Sequence, residues 1–288
     1  MQPLDQFEAY RPLMFSIAYR MLGSAMEAED MVQETYLRYQ SVNLETIRSP
    51  KAFLSAIITR LCLNQLELAR TKREVYVGEW LPEPISTDNE TLLSSNNPSS
   101  LYDSISMGFM VLLENLTPLE RAVFLLRQVF DYGYDEIAKI LDKEESACRQ
   151  LFSRAQKHIE DHRPRFKPSA EAHQHLLGQF LQTVSAGDMD GFMALLTEDV
   201  TLHTDGGGKA RGAATRTLQG QDATAKFIIA SLRLVPANFT YAIEQVNNEA
   251  ALVLRTNGSP FNVIFIEAEG DKIRTLRVIG NPDKLQHI

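Results

Sequence analysis

Cysteine is scarce in this chain: two residues in 288, Cys62 and Cys148. Neither has a partner at metal-ligand spacing, so a cysteine-built zinc site is not expected. Reduced core thiols in a cytoplasmic protein are expected. Long hydrophobic runs are also missing. No stretch of about 18 apolar residues occurs, so no membrane-spanning helix and no membrane partner are expected. The opening Met1-Gln2-Pro3-Leu4-Asp5 lacks the basic and apolar regions of a signal peptide. An excess of positive charge is absent too. The chain holds 29 Lys and Arg against 37 Asp and Glu, a net charge of −8. Residues 1–168 carry −5 of this and residues 169–288 carry −3. A protein that grips a polyanion by bulk charge is basic. Here basic residues are clustered locally, at Arg70, Lys72 and Arg73 and at Arg149, Arg154 and Lys157. Any nucleic-acid affinity would be weak by itself and would rely on a larger partner. The length suits two or three compact units of roughly 100–150 residues each, and no internal repeat is evident.

What is present most clearly is a helix-turn-helix pattern between Leu116 and Lys157. Thr117 is a good N-cap, Pro118 suits the first helical position and Glu120 completes a capping box. Val123, Phe124, Leu125 and Leu126 give that helix a buried side, with Arg127 facing out. A short helix over Tyr134–Leu141 follows the break at Phe130-Asp131-Tyr132-Gly133. After a tight turn at Asp142-Lys143, a longer helix runs from Glu144 to His158, with Cys148, Leu151, Phe152 and Ala155 inward. Its other face carries Ser146, Arg149, Gln150, Ser153, Arg154 and Lys157. A short helix, a tight turn and a longer helix with a polar, basic face is how a major groove is read.

Upstream, Phe7, Tyr10, Leu13, Met14, Ile17 and Met21 recur at helical steps until Gly23-Ser24. A second helix spans about Ala25 to Tyr39, with Asp30, Glu34 and Arg38 at i, i+4 and i+8. Ser49-Pro50 opens a third, burying Phe53, Leu54, Ile57, Ile58 and Leu61 and ending in the polar run Asn64 to Arg73. Residues 75–104 read as a linker rich in Ser, Asn, Thr and Pro. A flexible chain of that length spans roughly 30 Å on average and at most about 100 Å, enough to bridge one to two DNA turns. Within it Trp80-Leu81-Pro82-Glu83-Pro84 holds the only tryptophan, and its prolines keep it extended. An apolar, stiff segment in a polar linker is expected to dock on something.

From Ser169 the pattern becomes α+β. Helices over Glu171–Val184, Met189–Leu196 and Asp222–Leu232 are expected, with strands at Val200–Thr204, Phe239–Gln245, Ala250–Arg255, Val263–Glu267 and Lys272–Ile279. Short polar turns between the last four suggest an antiparallel curved sheet wrapped round helices.

These motifs together carry a family resemblance. Glu27 to Arg38, with Ser49-Pro50-Lys51-Ala52-Phe53-Leu54, resembles region 2 of an extracytoplasmic-function (ECF) sigma factor. Leu116 to Arg121 and Tyr134-Asp135-Glu136-Ile137-Ala138 resemble its region 4. Trp80-Leu81-Pro82-Glu83-Pro84, Asp205-Gly206-Gly207-Gly208-Lys209 and Asn281-Pro282-Asp283-Lys284-Leu285 resemble the subgroup with a C-terminal SnoaL-like (NTF2-like) domain. The resemblance implies a multidomain fold: region 2 over 1–74, the linker with its WLPEP segment over 75–104, region 4 over 105–167, and a SnoaL-like α+β cone over 168–288. It implies a promoter-specificity subunit with core RNA polymerase and promoter DNA as partners, without a cofactor, and an unidentified small ligand in the C-terminal domain.

In such proteins the second helix of region 2 meets polymerase, which implicates Asp30, Gln33, Glu34 and Arg38. The end of region 2 captures unstacked bases: Asn64 suits a base edge, and Arg60, Arg70, Lys72 and Arg73 suit phosphates. In region 4, Ser146, Arg149, Gln150, Ser153 and Arg154 face the −35 element and Lys157 meets a phosphate. The Asp205–Lys209 loop is expected to receive Trp80–Pro84, with the tail from Lys284 latching on the same region. Enzymatic candidates in the cone are His203, Asp205, Tyr241 and Glu267, but no pair is compelled by spacing, and catalysis is not the reading adopted. Two alternatives remain: a ligand-responsive regulator independent of polymerase, and a SnoaL-like enzyme fused to a DNA-binding module.

Overall fold

The computed structural model describes residues 3–43, 47–74, 76–87, 105–162 and 169–288. The chain divides into two compact units. One joins residues 1–74 with 87–163, and the other joins Val75–Ser86 with Pro164–Ile288. The expected linker therefore does not stay whole, because its first part belongs to the C-terminal unit.

The first unit is helical: α1 (Pro3–Leu22), α2 (Ala25–Gln40), α3 (Pro50–Glu74), α4 (Met107–Glu114), α5 (Pro118–Phe124), α6 (Tyr134–Leu141) and α7 (Glu145–His162). Gly23 turns the chain at positive φ, and the Ser24 side chain accepts from the Glu27 N–H to start α2. The Thr117–Glu120 capping box forms in both directions. A π turn over Leu125–Val129 continues α5, a distortion that apolar periodicity does not signal. It leads to Asp131 at φ 56°, which redirects the chain into α6.

Regions 2 and 4 pack together within this unit through polar contacts as well as apolar ones. The Tyr132 and Ser55 hydroxyls lie 2.7 Å apart. Arg121, almost fully buried, donates to the Met21 carbonyl at 2.7 Å and to Glu114 at 2.8 Å. A charge so buried is tolerable only with such partners. Cys62 and Cys148 are buried free thiols, and burial pushes the Cys62 thiol up.

The second unit is α+β: α8 (Ala170–Ala186), α9 (Met189–Ala194), β1 (Leu196–Asp205), β2 (Leu218–Gln219), α10 (Gln221–Ser231), β3 (Phe239–Val246), β4 (Glu249–Thr256), β5 (Ser259–Glu269) and β6 (Lys272–Ile279). The sheet runs β2-β1-β6-β5-β4-β3. The last four strands are antiparallel neighbours, as their short turns led one to expect, and the sheet becomes mixed only where β1 pairs parallel to β6. Leu196 opens β1 and does not end a helix as expected. Asn247-Asn248 and Asn257-Gly258 adopt the positive φ values that tight hairpin turns demand. Register shifts at Leu254/Arg255 and Glu267/Ala268 bend the sheet. Its concave side packs on the helices through Leu177, Phe180, Phe192, Leu202, Leu252 and Leu276. This is the α+β cone that the SnoaL-like resemblance implies. No described helix is long and apolar enough to cross a membrane.

Candidate functional site

Three surfaces carry the polar residues of interest, and each is built by a helix or strand already described. On α2, Asp30, Gln33 and Arg38 are exposed and Glu34 is half-buried. Arg38 Nε donates to Glu34 at 2.9 Å, which holds both side chains along the helix. Val32, Thr35 and Tyr39 are buried on the opposite side. Met26 and Leu37 are also solvent-exposed, at 44% and 59%. With Asp30 and Gln33 they form one stripe at helical spacing. These two apolar residues were not anticipated, although their positions in the 3.6-residue period place them there.

At the end of region 2, Asn64 is exposed and Leu68, one turn on, is 63% exposed. Arg70, Lys72 and Arg73 lie on the helical backbone of α3, with side chains outside the described residues. Arg60 has other partners than phosphate in this structure: Nε donates to the Ile140 carbonyl at 2.8 Å and a terminal nitrogen to the Lys139 carbonyl at 3.0 Å. It thus satisfies the otherwise unpaired C-terminal carbonyls of α6. Asp142 follows in the left-handed conformation, at φ 53°.

On α7, Ser146, Arg149, Gln150, Ser153, Arg154 and Lys157 are all exposed. Cys148, Ala155 and Ile159 are buried, while Leu151 and Phe152 are only partly so. Arg149 stacks over the Tyr134 ring at 4.4 Å from its centroid and pairs with Glu145 at 3.1 Å. Glu145 therefore orients the guanidinium.

The C-terminal unit has a polar hub at Asp205, which is fully buried. One carboxylate oxygen accepts from the Tyr76 hydroxyl at 2.6 Å. The other accepts from the Leu81 N–H at 2.8 Å and from Lys284 Nζ at 2.7 Å. Lys284 also donates to the Leu81 carbonyl and lies 4.0 Å from the centroid of the Trp80 ring and 5.3 Å from that of Tyr76. A buried ammonium needs such a set: a carboxylate, a carbonyl and two aromatic faces. Burial, reinforced by the Asp205 carboxylate, pushes the Tyr76 phenol well above the usual tyrosine range.

From this hub residues 76–86 run along the unit to the β3–β4 turn. Glu79 meets His203 at 2.5 Å and Thr217 at 3.2 Å, and Glu83 meets His287 at 2.8 Å. Ile85 and Asn247 exchange hydrogen bonds, Ile85 N–H to Asn247 Oδ1 at 2.8 Å and Asn247 N–H to the Ile85 carbonyl at 2.9 Å. Leu81 to Ile85 are all buried. Asn281 donates to the Tyr76 hydroxyl at 2.9 Å and caps the turn at Pro282-Asp283-Lys284. Gly207 and Gly208 sit at φ 58° and 72°. A Cβ on Gly207 would overlap the Asn281 carboxamide, and one on Gly208 would press on Val77. Lys209 pairs with Asp283, and Leu285 is buried. The three C-terminal motifs thus come together as one dock, with Pro82 and Pro84 keeping the docked strand extended.

The four enzymatic candidates are dispersed. His203 holds Glu79 and Asp205 holds the dock. Tyr241 is exposed on β3, and Glu267 pairs with Arg277 at 2.7 Å.

Comparison with known proteins agrees with this geometry. The Sigma-70 region 2 family matches residues 6–73 and the Sigma-70 region 4 family matches residues 106–159. The ECF RNA polymerase sigma factor SigJ of Mycobacterium tuberculosis is 34% identical, with 98% of this chain and 92% of the relative covered. The probable ECF sigma factor SigI of the same organism is 28% identical, over 97% of this chain and 93% of its own length. The crystal structure of Mycobacterium tuberculosis SigJ superposes with a TM-score of 0.76 at 31% identity, covering 99% of this chain and 98% of the other. With both sigma regions matched and the C-terminal unit spanned as well, this chain belongs to the ECF RNA polymerase sigma factors, which direct promoter-specific transcription initiation.

Proposed function

We propose that this chain works as a non-catalytic sigma subunit whose promoter output is set by the docking of residues 76–86 on the C-terminal cone. The observation that carries this reading is the buried Asp205–Lys284 clasp, which joins three motifs separated by up to about 200 residues. Asp30, Gln33, Glu34 and Arg38, flanked by Met26 and Leu37, meet core RNA polymerase. Asn64, Arg70, Lys72 and Arg73 meet the opened −10 region. Arg149, a bidentate donor, and Gln150, whose carboxamide both donates and accepts, read bases of the −35 element, supported by Ser146, Ser153 and Arg154, while Lys157 meets phosphate.

The packing of α3 on α6 bears on how this works. Two promoter elements separated by one to two turns of DNA lie about 35–70 Å apart, yet here Arg60 touches α6. The described arrangement of the first unit is a closed one, and Arg60 reaches phosphate only after α3 and α6 part. Docking of residues 76–86 shortens the chain available between regions 2 and 4, and so biases that opening. A small ligand of the cone acts on the same equilibrium to the extent that it binds the two forms unequally. The protein operates in the cytoplasm, where polymerase and promoter are.

Promoter-specific transcription with purified core polymerase tests the reading, using DNA selected for binding to the reconstituted enzyme. Defined start sites that require this chain are the expected outcome. Selective DNA binding by the chain alone, with no dependence of initiation on it, would point instead to a regulator separate from polymerase.

A further inference from the structure

The loop after Asp205 has the docked strand on one side and a cavity on the other. The cavity measures about 390 Å³ and is bounded by Leu252 and Ile264 of the sheet, Phe180 of α8, Phe227 of α10 and the run Lys209–Ala213. That volume lies at the small end of the range for drug-sized ligands. The walls are mainly hydrocarbon. Among the polar side chains there, Thr204, Ser231 and Thr256 direct their hydroxyls to the Ala214 and Ile228 carbonyls and to Asn238. Asp205 is engaged by the dock, and Lys209 by Asp283. Arg211 lines the cavity but is solvent-exposed, where its field is screened.

Asn262 differs from these. It pairs in register with Leu254 and lies two residues before Ile264, both members of the concave core. Strand alternation therefore puts its carboxamide on the same face. A Cβ on Gly280 would lie 2.7 Å from Asn262 Oδ1, so the missing side chain at Gly280 leaves room for the amide. A carboxamide that donates and accepts, set in an apolar wall, suits a ligand with a single polar group.

The cavity and the dock share structure. Asp205 lines the cavity and accepts from Leu81 N–H. Gly208 approaches Val77, with a Cβ there 3.1 Å from Val77 Cβ, and Gly78 approaches the Ala214 carbonyl. One loop thus separates the bound strand from the cavity. We propose that the cavity binds a neutral, mainly apolar molecule of one or two fused rings whose single carbonyl, hydroxyl or amide group meets Asn262, and that occupancy favours the docked state of residues 76–86. The second half rests on the reading of that dock as the control point. A ligand fitted to the wall of the docked form binds the undocked form less well and shifts the population by that ratio.

The experiment uses the full chain and the neutral naphthyl ketone 6-propionyl-2-dimethylaminonaphthalene as probe. Saturable one-to-one binding with blue-shifted emission is expected. Asn262→Leu weakens it about three- to tenfold, the range for one hydrogen bond, and Val278→Phe, which fills the cavity from β6, abolishes it. Ser231→Phe fills it from α10 and replaces Val278→Phe should that variant lose its circular dichroism. With probe bound, hydrogen exchange at the Leu81 and Ile85 amides slows in the parent chain and not in the filled variant. Non-saturable binding, or binding indifferent to both fillers, overturns the site. Tighter binding of anionic 1-anilinonaphthalene-8-sulfonate than of the ketone overturns the neutral class, and unchanged exchange with probe bound overturns the coupling. Binding is read without polymerase, so its failure leaves the dock's role in transcription standing. Failure of that role leaves the ligand site standing.

Discussion

At the scale of single residues the C-terminal unit turns on Asp205 and Lys284. Breaking a buried pair leaves one charge without compensation, which costs more than the pair itself contributes. Asp205→Ala strands the Lys284 ammonium, which is only 8% exposed, and is expected to destabilise this unit by about 3 kcal/mol in urea unfolding. A loss under about 1 kcal/mol, the range of a solvated surface pair, would contradict the clasp. Tyr76 adds a pH dependence. Its phenol is raised in the folded protein, so the unfolded chain gives up this proton first as pH rises. The stability it supplies is complete below about pH 10, the ordinary tyrosine value, and falls as pH climbs through the higher folded value. Trp80, the sole tryptophan, reports this directly. Its emission is expected to shift on alkaline titration at lower pH than global unfolding, and Tyr76→Phe to flatten that shift. Thr117 and Glu120 were legible in the sequence because a capping box is local. The role of Lys284 was not, because its partners lie 79 and 203 residues away. Only the motif resemblance placed it near Trp80.

At the scale of elements, helix boundaries followed from apolar period and caps, and α6 appeared over the residues expected, Tyr134–Leu141. The π turn at Leu125–Val129 did not, since Val123 to Leu126 are buried whether the backbone is α or π. Nor did the parallel β1–β6 pairing, which depends on where a strand inserts and not on its own alternation. The contact of α3 with α6 was invisible for a related reason: Arg60 reads equally well as a phosphate ligand or a helix cap. Tyr132→Phe tests the packing of α3 on the turn that leads into α6. It leaves the buried Ser55 hydroxyl without its 2.7 Å partner, and a loss of about 1–2 kcal/mol in the thermal unfolding of the helical unit is expected. No change would mean the two regions are not held there in solution. On α7, Arg149→Ala is expected to relax selectivity at one −35 base pair by about 1–3 kcal/mol. Lys157→Ala is expected to weaken all promoters alike and lower the salt slope by about one. Competition between promoter variants at two salt concentrations separates the two effects.

At the scale of the whole molecule, the fold class and both sigma regions were readable because each rests on a local pattern, while the net charge of −8 already argued for a partner that supplies most of the grip on DNA. Composition set Trp80–Pro84 apart as a docking segment but did not say that residues 76–86 as a whole join the C-terminal unit. Pro82 and Pro84, which set Trp80–Pro84 apart from the polar linker, keep Leu81–Ile85 an extended segment that docks at little entropic cost, and it groups with the C-terminal unit. In the proposed function this segment is the regulatory joint between regions 2 and 4. The most direct test is promoter-specific transcription with core polymerase, comparing the parent chain with Trp80→Ala, which removes one aromatic face from Lys284 and lies outside the sequence of both sigma regions. A change in output of about fivefold, the factor that 1 kcal/mol of lost cation–π contact gives, is expected. Equal output from the two chains, with the loosened dock confirmed by hydrogen exchange at Leu81, would contradict it.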